Sequence, residues 1–464
     1  MTLLHILIFA LASLPFMWLV PSTWRPWGLL AGSLLAVIWL MTDGVFTRAD
    51  VLLITFTLLL VLAVWWVGQG GQVSSEDRVA LLVIGGALCL TASAALWFGP
   101  AQLAFVLTGG ALLAVSSFSL SRFMIQAQMR GFAVALIALI IVVLLILKTP
   151  PLAALFGGTA GSPAIVTTAS PLVWLGFSYV AFRLIAVLLD YQAGNLPKGG
   201  FPLRDMATYV LFFPAFTAGP IDRAQRFIPE VQQAKALDAS RLVEGIGRIA
   251  VGAFKKFVIA DSLALVSMNP VLTEQTQSTA GLWVLVYLYA FQIFFDFSGY
   301  SDVAIGLGRL YGITLPENFD RPYMQRNLQL FWQRWHMTLS TWFRVYYFTP
   351  LSRAMLRSRL KLPQWGMVFI AQVSTMILIG LWHGVTLNFL LWGLWHGLGL
   401  YALKLLVDNT RGWYKRISTR AWPKRLLTGV SVLATFHYVA LGWVFFALPD
   451  VQSSLTILQR LFGG

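Results

Sequence analysis

"LQLFWQRWHMTLSTWFRVYYFTP", residues 328–350, sets His336, Arg334 and Arg344, with two glutamines, among Phe, Tyr and Trp rings. The stretch is too apolar for a solvated surface and too polar to face lipid. Charged side chains wrapped in aromatic ones fit the interior of a membrane-embedded bundle, where polar groups turn toward protein or water. The rest of the chain agrees: of 464 residues, 58% are hydrophobic and 11% charged, and mean hydropathy is +0.75. A soluble domain carries roughly 25% charged residues. The reading is an all-α polytopic membrane protein.

A helix crossing the ~30 Å hydrocarbon layer needs about 20 apolar residues. Apolar runs lie near 3–20, 27–42, 51–68, 79–98, 101–118, 131–147 and 171–189, then near 203–219, 245–268, 281–308, 328–350, 366–384, 386–406 and 427–448. Several are short or interrupted by Pro and polar residues, so some are expected to be re-entrant, giving about 11–14 membrane-embedded helices. "LLHILIFALASLPFMWLV" reads as a retained first span, since no small-residue cleavage site follows it.

The net charge of +15 sits in a few loops. Arg122 and Arg130 flank one turn, and the stretches 223–256, 321–361 and 404–425 are basic, whereas 148–170 carries only Lys148. Basic loops mark the inner side, so these regions face the cytoplasm and the N-terminus lies outside. Topology accounts for the charge, and no aromatic-basic soluble module points to nucleic acid. The expected location is the cytoplasmic (inner) membrane, multi-pass, with the lipid bilayer as a partner.

Residues 1–464 read as a single domain in three parts. Residues 1–150 are plain spans with small-residue contacts such as "GGALLAVSS". Residues 171–400 interleave polar groups with aromatics, and 401–464 form a basic loop and a last span with an amphipathic end. The lone Cys89, in "VALLVIGGALCLTASAALWF", excludes an internal disulfide and reads as a buried packing thiol.

Four constellations carry polar groups into the membrane. In the first, a continuous helix over 328–350 would place His336, Ser340 and Arg344 at i, i+4 and i+8, with Gln329 and Gln333 leaning to the same stripe. An interfacial helix anchored by Trp and Arg explains those residues, but not a histidine in register with them. The second, "GLWHGVTLNFLLWGLWHGLGL" (380–400), holds His383 and His396. On one helix, thirteen residues amount to about 220° of rotation, so the two imidazoles face different sides and share no metal. A structural hydrogen bond between helices is the alternative for either ring.

In the third, "FQIFFDFSGYSDVAIGLGRLYG", Asp296 with Tyr300 and Ser298 with Asp302 are i, i+4 pairs. An acid-base pair, an ion site and arginine partners all fit, and the arginines downstream (309, 321, 326, 334, 344) favour pairing. The fourth, "FFPAFTAGPIDRAQRF", breaks at Pro214 and again at Gly219-Pro220. Irregular backbone at membrane depth needs protein or water around it. The expectation is a re-entrant element lining a cavity, with Arg223 and Arg226 at its inner mouth; an ordinary loop end is the alternative.

These segments, in this order, resemble the membrane-bound O-acyltransferase family, and within it the bacterial branch of alginate O-acetylation and teichoic-acid D-alanylation proteins. The resemblance spans 171–400 and rests on "GFSYVAFRLIAVLLDYQAG", "FFPAFTAGPIDR", "FDFSGYSDVAIGLGRLYGITLPENFDRPY", "FWQRWHMTLSTWFR" and "GLWHGVTLNFLLWGLWHG". It implies helices ringed around a central funnel, with His383 as the catalytic histidine and His336 as its companion. Arg334, Ser340, Arg344, Asp296, Ser298, Asp302, Gly219, Pro220, Arg223 and Asn388 fall in the same motifs and are expected to bind substrate. The pattern departs at Val345, where the resemblance leads one to expect an acidic residue.

The implied reaction moves an acetyl or D-alanyl group from a cytoplasmic thioester, carried by acetyl-CoA or an acyl-phosphopantetheine carrier protein, to a hydroxyl of an extracytoplasmic polysaccharide. Transfer to a glycan-modifying partner outside the membrane is the variant. No cofactor is expected to be permanently bound, and no metal. His383 would act as general base, and His336, with Ser340 or Arg344, would orient the donor or stabilise the oxyanion. A transporter or flippase would also bury such groups along a pathway; it and a non-catalytic scaffold are the competing classes.

Overall fold

Inside a bilayer, backbone N–H and C=O groups must be satisfied within the protein, which leaves apolar runs the choice of helix or closed barrel. In the computed structural model, the described residues are 1–42, 48–69, 73–96, 126–149, 151–152, 175–359, 362–417 and 419–464, and among them the regular structure is helical. The candidate span at 101–118, "GGALLAVSS", Arg122 and most of the 148–170 loop lie outside the described residues.

The first helices are α1 (Leu3–Leu19), α2 (Arg25–Thr42), α3 (Arg48–Gln69), α4 (Ser75–Leu96), α5 (Gln126–Lys148) and α6 (Phe177–Gln192). Next come α7 (Leu203–Leu211), α8 (Ala224–Gln232), α9 (Ala239–Ala253) and α10 (Thr279–Leu310). Then follow α11 (Leu328–Arg334), α12 (Met337–Phe343), α13 (Thr349–Arg357), α14 (Gln364–His383), α15 (Leu387–Ile417), α16 (Ala421–Ala447) and α17 (Val451–Leu461). Seven of them (α2, α3, α5, α10, α14, α15 and α16) are long and apolar enough to cross a membrane. The protein is therefore a multi-pass membrane protein. Of the other described helices, α4 is an unbroken 22 residues, whereas α1, α6, α7, α11 and α12 are shorter.

Two cores organise the bundle. One gathers side chains of α2, α3, α5, α6 and α7 with the far end of α10; the other is richer in aromatics and joins α11, α12, α14, α15, α16 and α17 to the near half of α10. Trp342 packs against both. Cys89 is exposed on α4 instead of buried, which places the thiol on the outer face of the helix. Two helices overrun their expected ends: α10 has 32 residues and α15 has 31. At 1.5 Å per residue each is about 45–48 Å long, so α15 carries its helix well into the basic stretch.

Close backbone contact at glycines also occurs beyond residues 1–150, notably between α9 and α10. A Cβ on Gly252 would lie 2.6 Å from the Gly299 carbonyl oxygen, and one on Gly306 would lie 2.7 Å from that of Gly245. These glycines recur seven residues apart on both helices, so the two backbones touch along a seam where no side chain fits. Gly299→Val wedges that seam open. Overpacking of this kind costs about 1–3 kcal/mol or more, and we expect a lower inactivation temperature and less monodisperse protein in detergent, read by thermal unfolding with size-exclusion chromatography.

Candidate active site

The stretch 328–350 is not one helix. It breaks between α11 and α12 at His336, which sits at φ +42°, in the left-handed region that non-glycine residues rarely occupy. Such strain persists only where the surroundings impose it, and it gathers at functional sites. Here the segment 318–320 imposes it. Met337 N–H donates to the Asn318 carbonyl (2.9 Å), and Asp320 N–H donates to the Arg334 carbonyl (3.0 Å). The Asn318 side chain, fully buried, accepts from Thr338 N–H (3.3 Å) and Thr338 Oγ1–H (2.9 Å), and lies 3.0 Å from His336 Nδ1.

The break overturns the expected stripe. His336 turns inward and is 2% exposed, while Gln329, Gln333 and Arg334 face outward. Arg334 pairs with Asp320, and Arg344 is exposed at the start of a π-helical turn, Arg344–Phe348. Ser340 Oγ reaches only the Trp335 carbonyl, at 3.5 Å. Of the three residues expected on one stripe, only His336 enters the interior.

The second constellation breaks as well. α14 ends at His383, Gly384 is extended, and α15 starts at Leu387. The rotation expected between His383 and His396 presupposes a continuous helix. With the break, both imidazoles reach the Trp392 ring, at 5.6 and 4.9 Å between centroids. His396 is fully buried among Trp332, Trp392, Trp443 and Tyr438, and neither of its nitrogens has a partner among the described residues. His383 and His336 flank a different indole, Trp382, at 4.5 and 6.2 Å. Trp382 Nε1–H is buried and also unpartnered among the described residues. Lys148, at the end of α5, lies 5.9 Å over the same ring.

A cavity of about 750 Å³ opens beside this group. Arg248, Lys255, Arg309, Glu317 and Arg321 line it with Ser298 and Asn318, and Asn318 is also the neighbour of His336. The buried Asp302 at its edge takes Arg248 (2.6 Å) and Lys255 (2.6 Å), and Arg248 reaches on to Glu317. Asp296 pairs with Lys256 at 2.7 Å and is half-exposed. Both carboxylates thus find cations, but from the chain upstream, not from the downstream arginines. α9 and the turn after it lie against α10, so their cations reach these carboxylates first. Ser298 Oγ is buried and has no partner among the described residues.

Residues 212–223 are irregular, as expected, and walled by protein. A short 3-10 turn at Phe213–Ala215 leads to Gly219-Pro220, where any Cβ on Gly219 would overlap Ala215. Arg183 of α6, 2% exposed, holds the irregular backbone by donating to the Val210 (2.9 Å) and Ala215 (2.6 Å) carbonyls. The cavity is lined by other residues than these. Arg223 lies beside Asp190 (3.7 Å) and the Tyr346 ring, and Arg226 pairs with Asp222. Asn388 ties α15 to the last turn of the fold, its amide donating to the Leu448 carbonyl (2.8 Å) and Ser454 (3.3 Å).

The structure brings His336, His383, Ser298 and Asp302 to one region and leaves Arg344, Arg223 and Asn388 apart from it. Sequence reasoning passed over Arg183, Asn318 and Trp382. An arginine inside the apolar run of α6 was a usable signal. Asn318 and Trp382 gave none, because their partners are distant in the chain.

Buried histidines beside a charged cavity place this chain among multi-pass membrane proteins with polar groups inside the bundle. Sequence comparison narrows that class. The model of the membrane-bound O-acyltransferase family matches residues 37–448, and the chain belongs to that family of acyltransferases. It is 32% identical over 300 residues to a teichoic acid D-alanyltransferase of Streptococcus thermophilus, covering 61% of this chain and 71% of the relative. It is 32% identical over 288 residues to a probable alginate O-acetylase of Pseudomonas aeruginosa (62% and 51%). With a peptidoglycan O-acetyltransferase of Helicobacter pylori it shares 34% over 274 residues (58% and 49%).

Arg183→Met keeps much of the side-chain volume but leaves two buried carbonyls without donors. Orphaning buried groups in this way costs about 1–3 kcal/mol each. We expect proteolytic sensitivity to appear between 210 and 221 before the rest of the chain, checked by limited proteolysis with mass spectrometry.

Proposed function

We propose that the protein transfers an acetyl or D-alanyl group from a cytoplasmic thioester to a hydroxyl of an extracytoplasmic cell-surface polysaccharide, or to a partner that modifies one, in the inner membrane. The observation that carries this reading is the two-sided approach to Trp382. The His336 side adjoins the charged cavity, whose lining includes Arg248, Lys255 and Arg321 from the basic stretches expected to face the cytoplasm. The His383 side adjoins Lys148 and the segment expected to lie outside. Val385 N–H donates to the Lys148 carbonyl (3.0 Å), tying the His383 turn to that end of α5.

On this reading the donor enters through the cavity, carried by coenzyme A or by the phosphopantetheine arm of a small carrier protein. His383 takes the proton from the acceptor hydroxyl as its oxygen attacks the thioester carbonyl. The tetrahedral oxyanion then collapses, the C–S bond breaks, and the thiolate leaves with the proton returned from the imidazolium. Trp382 Nε1–H, buried and without a partner among the described residues, is the donor this reading assigns to the oxyanion. Ser340 and Arg344 lie outside that convergence. The relatives' names, which cover D-alanylation and O-acetylation, support the acyl class and leave both groups as candidates.

The test is the alkali-labile ester content of the cell surface, scored separately for acetate and D-alanine, in cells carrying wild type or His383→Ala at matched membrane levels. Loss of one ester in the variant is the expected result and names the acyl group. Unchanged esters of both kinds would overturn the proposal. Trp382→Phe keeps the ring and removes the N–H. Loss of one oxyanion donor costs roughly 10²–10³ in kcat, so turnover in reconstituted membranes should fall by about that factor with protein level unchanged.

A further inference from the structure

His336 has two ring nitrogens, and the fold gives them different surroundings. Nδ1 lies 3.0 Å from the Asn318 side-chain oxygen. Nε2 is buried and has no partner among the described residues. Which end of the Asn318 amide faces Nδ1 is fixed by a third group. Thr338 backbone N–H can only donate, and it points at the same Asn318 atom, so that atom is the oxygen. The Asn318 NH₂ then donates to Ser301 Oγ at 3.1 Å. An oxygen facing Nδ1 requires Nδ1 to carry the hydrogen. The other contacts of the imidazole are the rings of Phe297 (4.6 Å) and Trp382, and no carboxylate among the described residues touches it. A charged imidazolium would be uncompensated there, so the ring is neutral. Its Nε2 therefore carries a lone pair and no hydrogen.

We propose that Asn318 is a positioning residue. It holds His336 as the Nδ1–H tautomer, so that Nε2 meets the substrate as a hydrogen-bond acceptor. This reverses one expectation from the sequence, since a bare Nε2 cannot donate to an oxyanion. His336 instead accepts from a substrate O–H or N–H, and the oxyanion donor must come from elsewhere. Asn318 serves both ends of this arrangement. The same side chain that sets the tautomer holds Thr338 in the strained turn that points the imidazole inward. It also borders the cavity, so His336 is coupled to whatever occupies that space. The consequence for catalysis rests on the acyl-transfer reading; the tautomer does not.

The experiment is ¹⁵N spectroscopy of the full-length protein, labelled at the histidine imidazole nitrogens and held in lipid nanodiscs at neutral pH. His336→Gln assigns the resonances. We expect the wild-type His336 to bear its hydrogen on Nδ1. In Asn318→Ala the hydrogen redistributes between the nitrogens, and kcat falls about 10- to 100-fold, the range known for partners that orient metal-bound histidines, with KM for the donor changed far less. Asn318→Asp, which keeps an acceptor oxygen in place, retains the hydrogen on Nδ1. A wild-type His336 protonated at Nε2 alone overturns the proposal, as does an Asn318→Ala protein with unchanged tautomer and kcat. If Asn318→Ala fails to fold, the wild-type spectrum still decides. Absence of acyl transfer in every sample, with the tautomer as expected, defeats the acyl-transfer reading and leaves the tautomer assignment standing.

Discussion

The contact on which the rest depends is the clasp between residues 318–320 and 334–338. Two backbone hydrogen bonds and the Asn318 side chain hold His336 in a conformation it would not adopt on its own. Without the clasp, 328–350 has every reason to run as one helix, and its histidine would lie on a stripe with Ser340 and Arg344. With it, the chain bends, α12 leans toward α6, and Trp342 Nε1–H reaches the Phe182 carbonyl at 3.0 Å. The site is made by breaking a helix, and the break is stabilised by groups that precede it in the chain.

The same logic recurs elsewhere in the protein. The irregular backbone at 210–221 survives at membrane depth because side chains satisfy it: Arg183 donates to the Val210 and Ala215 carbonyls, and Thr338 Oγ1 accepts from Ile221 N–H at 3.0 Å. Thr338 thus links the re-entrant segment to the His336 turn. The cavity beside them is charged yet largely self-neutralised, since Asp302 takes both Arg248 and Lys255 and Glu244 pairs with Arg309. Fixed ion pairs of this kind keep a polar space open between apolar helices, because collapsing it would bury charges without solvent. The glycine seam between α9 and α10 lets those cations come close to the carboxylates of α10.

Much of the fold was legible because lipid leaves few choices. Apolar runs near 27–42, 51–68, 131–147, 281–308, 366–384, 386–406 and 427–448 all became long helices, since a run of about 20 apolar residues has no better structure in a bilayer. The break at Gly219-Pro220 was readable for a local reason, the missing donor and the forced turn. The two helical-wheel arguments failed together. His336 with Ser340 and Arg344, and His383 with His396, were placed by counting residues along continuous helices, and both helices break between or beside the residues counted. The ion partners of Asp296 and Asp302 were missed for a related reason, as nearness in the chain stood in for nearness in space.

The sequence by itself determined that this is an all-α membrane protein, where most of its spans lie, and which segments carry histidines and buried charge. These follow from composition and local periodicity, which each segment carries alone. Only the tertiary structure decided which polar groups meet. Asn318 finds His336 eighteen residues away, Arg183 finds the carbonyls of 210 and 215, and Trp382 meets, besides its neighbour His383, a histidine from the break between α11 and α12. Hydrogen bonds are short-ranged and directional, so such pairings depend on how helices cross and where they break, and no spacing along the chain encodes that.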